Sequence, residues 1–505
     1  MYETSERYFS RLLAVWGGIA AAVWLITTSK FVDGVDLYVF VCQSRDMLHE
    51  TAPDSNSAYR YFPGIYSFWR SVLLLFGQDT PVIQRAVMSV LAVNAVLTGV
   101  ISWRLAKSVP YGVLGGVLYL CIASRYECTM GTAEPLATIP FLIGLWLWTN
   151  VSAQTPVHWK SLLLLGVALG LSVYCKQQAG LLAVGVVWLT IANLREQPTP
   201  SIAIRTACKQ GTVIASAAAV TLLVAILFEG KGLDPLRQGL QMAAGYTAQG
   251  TWSSNFYSII RNDESVALMM VVALAGIFCA ARTPRDPAGN ENSFEVVGIL
   301  CCSAFATTLQ FRTRGYYHYF LLAIPCLVAV FVFAVSALSS RFQNTTVRNR
   351  CIRTLIFLIS VVPFLHAGQR PDDFEIWNPV VSAADLEEPR PWHLTTQISD
   401  EIAELKSRLP AQSQIVVLPP VRSVTYLLVE ARQSNGYAFG GPPCLDGVNW
   451  DELDAAIILE AMDDRETTNW QESDCDSAML SVTNRGFERT YRGARFSLWQ
   501  PPSNK

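Results

Sequence analysis

The sequence predicts an α-helical polytopic membrane protein of about 11 transmembrane helices, carrying a C-terminal extra-cytoplasmic α/β domain. Three observations lead there. First, 51% of the 505 residues are hydrophobic and only 15% are charged, with a mean hydropathy of +0.30. A soluble protein of this size carries about 25% charge. Second, apolar stretches near the roughly 20 residues needed to cross a bilayer follow one another through the first part of the chain. Third, the charge is unevenly distributed. Residues 1–370 hold 27 Lys and Arg against 18 Asp and Glu, whereas residues 371–505 hold 11 against 22. The chain therefore separates into a membrane part, 1–369, and a soluble part, 370–505.

The same figures exclude other classes. Intrinsic disorder needs low hydrophobicity. A nucleic-acid binder needs a basic excess, and the net charge here is −2. The apolar stretches fall at 12–29, 82–103, 109–124, 133–150, 161–175, 178–194, 210–228, 264–281, 295–311, 317–338 and 353–369. The first lacks a small-residue cleavage site and leads straight into more membrane sequence, so it reads as a retained span. Lys and Arg in the short connections set the orientation. An N-terminus inside puts Arg104 and Lys107, Lys160, Arg195 to Lys209, Arg282 and Arg285, and Arg341 to Arg353 in the cytoplasm. The expected place is the inner (plasma) membrane, multi-pass, with the acidic C-terminal part outside. Two outer segments are then long, 30–81 and 229–263, which points to chemistry at the outer face.

In the soluble part, Ile398 to Leu409 has helical spacing. Gln414 to Leu418 and Ala455 to Leu459 are short buried-strand runs, and Phe487 to Trp499 alternates as a hairpin turning near Arg492-Gly493. Of the twelve cysteines, ten are scattered through the membrane part without metal spacing. Cys444 and Cys475 alone lie in the outer part, where a disulfide is chemically open to them. No Walker loop, GxGxxG, GxSxG or zinc motif is present, so neither nucleotide-driven transport nor a nucleotide-sugar site is expected; no cofactor is expected, and the first-loop aspartates, Asp33 and Asp36, are open to a divalent cation but too few as ligands to support one.

The first outer loop holds the informative chemistry. In Phe31-Val-Asp-Gly-Val-Asp-Leu-Tyr-Val-Phe40, Asp33 and Asp36 stand just outside a span, ahead of an amphipathic stretch reaching Arg45 and Leu48. They either cap the following helix or present carboxylates for acid–base work. Tyr59-Arg-Tyr-Phe-Pro-Gly-Ile-Tyr66 follows, readable as an interfacial aromatic belt or as part of a site. Lys176, next to Gln177-Gln178, is a cation at or near membrane depth, a functional candidate by default, unless it merely sits in a short outer turn. Glu134, at the entry to the span at 133–150, orients an acceptor, pairs with Arg125, or is a plain N-terminal helix acid.

Taken in order, these segments form a series. Asp36 is followed by Phe40, then YRYFPGIY at 59–66, Arg85 opening a span, and Gly131-Thr-Ala-Glu-Pro135. GLSVYCKQQAG at 170–180 and Arg314-Gly-Tyr-Tyr-His-Tyr-Phe320 with Pro325 complete it. Over residues 10–340 this resembles the C-type (GT-C) membrane glycosyltransferases. Those include the protein O-mannosyltransferases, the lipid A aminoarabinose transferases and the polyprenol-dependent mannosyl- and arabinosyltransferases. Many such enzymes have Asp-Glu as the first-loop acid pair, whereas here Asp33 and Asp36 have no adjacent Glu; the offset to Phe40 favours Asp36.

The resemblance implies transfer of a hexose or pentose, with inversion, from a polyprenyl-phosphate carrier to a lipid, glycan or protein acceptor at the outer face. Asp36 or Asp33 is the implied base. Arg312 and Arg314, outside against the positive-inside trend, and Lys176 are the implied partners of the donor phosphate. Tyr59, Tyr61, Glu134, Tyr316, Tyr317 and His318 are the implied groove. The competing class is a transporter or flippase of a lipid-linked sugar, which calls for acids deep within the spans and symmetry between halves; neither is evident.

Overall fold

The computed structural model describes residues 35–48, 62–77, 80–123, 132–151, 159–229, 233, 237, 271, 274, 293–308, 317–340, 396–410, 413–418, 432–433, 450–459, 479–493 and 496–502. The chain divides into two compact units. One comprises Met1–Thr28, Tyr59–Ile65 and Met88–Val380; the other comprises Ser29–Ala58, Tyr66–Val87 and Val381–Lys505.

The helices in chain order are α1 (Val35–Leu48), α2 (Gly64–Phe76), α3 (Thr80–Ala106), α4 (Val109–Ala123), α5 (Ala133–Val151) and α6 (Trp159–Cys175). A 3₁₀ segment, Gln177–Val187, leads into α7 (Trp188–Glu196), followed by α8 (Pro200–Phe228) and α9 (Ser293–Thr308). A short 3₁₀ turn, Tyr317–Leu322, precedes α10 (Ile324–Ser340). Eight of the expected spans coincide with these elements. The spans at 12–29 and 353–369 lie outside the described residues, as does all of 264–281 except 271 and 274. By length and composition Arg85–Ala106, Gln177–Arg195 and Pro200–Phe228 are long and apolar enough to cross a membrane. Helix α8 starts ten residues before the apolar run suggested. Pro200 sits at its first position, where the missing N–H costs nothing, and the charged Arg205 and Lys209 stay on an exposed face.

Close backbone approach holds the membrane unit together. On α6, a Cβ added at Gly166 or Gly170 would come within 2.5 Å of the Ile214 or Ala218 carbonyl oxygen of α8. This is the small-xxx-small pattern by which apolar helices associate where burial from water no longer drives them. The outward side of α8 leaves Val220, Leu223, Val224 and Leu227 exposed, a lipid-facing surface. Helix α10 is the opposite case. From Ile324 to Val335 every apolar side chain is at most 6% exposed, as expected of a helix apolar all round and packed on every side. Between α3 and α4 the chain reverses in two residues, with Lys107 in the left-handed region at φ 52°.

The expected span at 178–194 is α-helical only from Trp188; before it the backbone is 3₁₀. The run QQAGLLAVGVV is rich in Gly and Val, both weak helix formers. Ser303 of α9 donates to the Leu182 carbonyl at 2.7 Å, a lateral bond that holds the narrower helix in place.

In the second unit, α1 packs on α2. Ser44 Oγ donates to the Tyr66 carbonyl at 3.2 Å, and the Phe40 and Tyr66 rings meet edge to face at 5.9 Å. Tyr66 is 0% exposed, so it is packed inside and is not part of an interfacial belt. Among the described residues, the C-terminal stretch of this unit starts with α11 (Thr396–Arg408) and holds five strands, β1 (Gln414–Leu418), β2 (Arg432–Gln433), β3 (Ala455–Leu459), β4 (Glu488–Arg492) and β5 (Phe496–Gln500). The sheet order is β2-β1-β3-β5-β4, with β1 parallel to β2 and β3, and β5 antiparallel to β3 and β4. Val416, Trp450, Leu453, Ala456, Ile458, Val482 and Phe487 form its core. Glu401 of α11 accepts the Phe496 backbone N–H at 2.8 Å, tying the helix to the hairpin. Cys444 and Cys475 lie outside the described residues.

Candidate active site

Three segments meet at one end of the membrane unit: the start of α5, the junction of α6 with the 3₁₀ segment, and the turn before α10. Helix α6 closes with Lys176 N–H donating to the Ser172 carbonyl at 3.0 Å, and the next segment opens with Ala179 N–H donating to the Lys176 carbonyl at 2.9 Å. Lys176 itself is extended, at φ −154° and ψ 124°. One extended residue between two helices sends its side chain away from either helical stripe.

That side chain is buried, 4% exposed, and its ammonium donates to Glu134 Oε1. Glu134 is 0% exposed and lies in the first turn of α5. The Lys176 Nζ also stands 5.0 Å above the centre of the Tyr319 ring, a cation–π arrangement. A lone ammonium or carboxylate at this depth costs several kcal/mol. Each group compensates the burial of the other. The sequence reading left Glu134 three alternatives; the structure pairs it with Lys176.

The turn that carries Glu134 is fixed from below. Asn94 of α3, 0% exposed, donates to the Pro135 carbonyl at 2.6 Å and to the Val90 carbonyl at 3.0 Å. Thr138 Oγ1 donates to Asn94 Oδ1 at 2.6 Å and lies 2.9 Å from the Pro135 carbonyl. On the other side, the Tyr174 hydroxyl donates to Glu229 at the end of α8. Neither Asn94 nor Thr138 stands out in the sequence, because a single amide or hydroxyl in an apolar run has no motif around it. Thr132, just ahead of α5, and Gln177, just after Lys176, are further polar residues at this place. Among the described residues they carry buried side-chain atoms with no hydrogen-bond partner: Thr132 Oγ1, and both Nε2 and Oε1 of Gln177.

The other residues singled out in the sequence fall elsewhere. Asp36 is the second residue of α1, in the other unit, and its side chain lies outside the described residues. Tyr317 and His318 sit on the 3₁₀ turn before α10, again with side chains outside the description. Asp33, Tyr59, Tyr61, Arg312, Arg314 and Tyr316 lie outside the described residues altogether. Arg45, the basic end of the amphipathic stretch, is only 2% exposed on α1. Among the described residues no group of three or more His, Cys, Asp and Glu side chains is placed to hold a metal ion.

No protein-family model matches the sequence, and no curated protein matches it. Solved structures do. ArnT from Cupriavidus metallidurans, bound to undecaprenyl phosphate, superposes with a TM-score of 0.57 at 10% identity, over 97% of this chain and 98% of that one. Its apo form gives 0.56 at 11% identity, over 96% and 97%. The archaeal oligosaccharyltransferase AglB from Archaeoglobus fulgidus, in complex with an inhibitory peptide and a dolichol-phosphate, gives 0.53 at 10% identity, over 91% and 70%. Likeness at this identity speaks for the fold. These superpositions show that the chain has the fold of ArnT and of AglB, the fold of the C-type membrane glycosyltransferases.

Proposed function

We propose that the protein transfers a sugar from a polyprenyl-phosphate carrier to an acceptor at the outer face of the membrane, with inversion. The observation that carries this reading is the charge-compensated Lys176 at the end of the bundle, in a fold shared with a structure bound to undecaprenyl phosphate. In the reaction, the acceptor hydroxyl gives its proton to the carboxylate of Asp36 or Asp33 as its oxygen bonds to the anomeric carbon. The bond from that carbon to the phosphate oxygen breaks, and the polyprenyl monophosphate leaves with the electron pair. A positioned base of this kind contributes about 10²–10⁴-fold. Charge growing on the leaving phosphate calls for cations already in place. Arg312, Arg314 and Lys176 fill that role, with Glu134 holding Lys176 in position. Tyr59, Tyr61, Tyr316, Tyr317 and His318 complete the groove. No cofactor is invoked.

A transporter would instead need acids midway along the helices. Among the described residues of the membrane unit, the buried carboxylates are Glu134 and Glu295, each in the first turn of its helix. Mass spectrometry of lipid-linked sugars and envelope glycans in a deletion strain tests the reading. The expected result is accumulation of one sugar-loaded polyprenyl phosphate and loss of one glycosylated product, restored by the wild-type gene. Asp36→Asn should fail to restore it, or, if Asp33 is the base, Asp33→Asn should. A double Asn variant that restores the product fully removes the aspartates from the mechanism.

A further inference from the structure

The turn of α5 that carries Glu134 lacks part of its own helix bonding. Pro140 lies inside α5 and has no N–H to offer the Leu136 carbonyl four residues back, so one of the bonds that fasten the first turn to the second is missing. A neighbouring helix supplies another hold. Asn94 of α3 donates to the Pro135 carbonyl at 2.6 Å and to the Val90 carbonyl of its own helix at 3.0 Å, while its Oδ1 accepts from the Thr138 hydroxyl at 2.6 Å. Both N–H groups and the oxygen of the amide are engaged. A flipped amide would set its oxygen against two carbonyls, so the network admits one orientation.

Apolar side chains would join α3 to α5 without the desolvation that a buried amide costs. What directed hydrogen bonds add is a single geometry. Asn94 is 0% exposed and Thr138 1% exposed, and the carbonyl they hold belongs to the residue next to Glu134, whose carboxylate accepts from the Lys176 ammonium. From this we infer that Asn94, seconded by Thr138, is a positioning residue for the donor phosphate. It acts through Glu134, setting where that carboxylate holds the Lys176 ammonium. The inference rests on Lys176 meeting the phosphate, as in the donor reading above. A binding group displaced by about 1 Å from its working position costs up to about a hundredfold, so a residue that only places the ammonium carries a large effect.

The test is a binding cycle on the full-length protein in nanodiscs, with decaprenyl phosphate as the probe. Asn94→Leu keeps a similar volume and removes all three bonds of the amide. It should weaken carrier binding about tenfold or more. In the Glu134→Met/Lys176→Met background the same substitution should change the remaining affinity by less than about twofold, because the ammonium it places is gone. An amide that serves the structure alone would cost the same factor in both backgrounds. Thr138→Val removes only the hydroxyl bond to Asn94 and should weaken binding about fivefold where the pair is present, and not where it is absent. This variant decides the matter if Asn94→Leu does not fold. The inference is overturned if the folded variant binds the carrier within about twofold of wild type, or if its loss is equal in the two backgrounds. Failure of wild type to bind the carrier is a separate result, which removes the donor reading and this inference with it.

Discussion

Removing either member of the Glu134–Lys176 pair should destabilise the membrane unit far more than removing both. Glu134 is fully buried and Lys176 nearly so, which places the pair in the regime where breaking a buried ion pair costs about 3–5 kcal/mol. The two single variants should not be equal. In Glu134→Met the ammonium keeps the Tyr319 ring at 5.0 Å, a contribution of about 1–2 kcal/mol when desolvated, so the loss should sit near the lower end, about 3 kcal/mol. Lys176→Met removes the cation from a fully buried carboxylate, and its loss should be nearer 5 kcal/mol. The double Met variant carries no charge and keeps similar volumes. It should lie within about 2 kcal/mol of wild type, because a well-packed apolar pair is often no worse than the ion pair it replaces. The coupling energy from this cycle should therefore be about 6 kcal/mol or more. Reversible unfolding of the purified protein in mixed micelles measures it. Additive losses, with the double variant the least stable, would refute the pairing as the source of stability. Activity separates the roles: the double variant should fold yet lose transfer.

The remaining expectations concern other parts of the chain. Arg312→Gln and Arg314→Gln should each lower kcat/KM for the lipid-phosphate donor about ten- to hundredfold, with part of the loss in kcat because charge on the leaving oxygen grows as the bond breaks. Unchanged donor kinetics in stably expressed variants would remove both from the phosphate site. Gly64→Ala should inactivate the protein, since its Cβ would stand 2.6 Å from the Tyr174 carbonyl oxygen and 2.8 Å from Cys175 Cα, pushing on the residues just before Lys176; full activity in this variant would show that the junction yields without consequence. In the C-terminal domain, burial first and then Glu401 and Glu404 raise the Tyr491 hydroxyl above its ordinary pKa, against a lowering by Arg408. The folded state therefore holds this proton more tightly than the unfolded one. Its contribution is fully present below about pH 10 and is lost as pH rises beyond that. The urea midpoint should fall between pH 9 and 11 in wild type and fall less in Tyr491→Phe; identical slopes would contradict the assignment.

What was legible in the sequence was whatever hydropathy or alternation encodes locally. The spans from α3 to α10, helix α11, the strand runs QIVVL and AAIIL and the hairpin at 488–500 fall close to where period and composition place them, except that α8 begins ten residues early and the first part of the span at 178–194 is 3₁₀. Helix α2 did not, because Gly64–Phe76 is shorter than a span and lies in what reads as an outer loop. Its buried face, Ile65, Tyr66, Trp69, Val72 and Leu73, is visible only once a partner for it exists. At the site, Lys176 and Glu134 were each legible as costly charges near membrane depth. Their partnership was not, because 42 residues separate them and no local rule pairs residues across that distance. Asn94 and Thr138 were invisible for the same reason. The 3₁₀ geometry of Gln177–Val187 depends on a lateral bond from Ser303, 121 residues away from Leu182.

The break after α6 explains how a lysine comes to lie inside an apolar bundle at all. A residue on a continuous helix projects along a stripe shared with positions three and four away, so an interior lysine would bring its neighbours' environment with it. Here the stripe stops at Cys175. Lys176 turns extended, yet its own N–H still bonds the Ser172 carbonyl and its own carbonyl still accepts from Ala179. The backbone therefore changes direction without giving up either hydrogen bond of the pivot residue, which in a membrane would cost several kcal/mol. The reorientation is confined to one side chain, and that side chain meets Glu134. The 3₁₀ segment that follows is the consequence: its Ala179-to-Lys176 bond is an i-to-i+3 bond, the tighter pattern that lets the chain restart at once. Sequence around the pivot reflects this, with Gly180 and Gly185 and the small Ala179 and Ala183 downstream of two glutamines. Lengthening α6 into this segment, by Gln177→Leu with Gly180→Ala, should swing Lys176 off Glu134. Such a variant should lose transfer while its helix content rises.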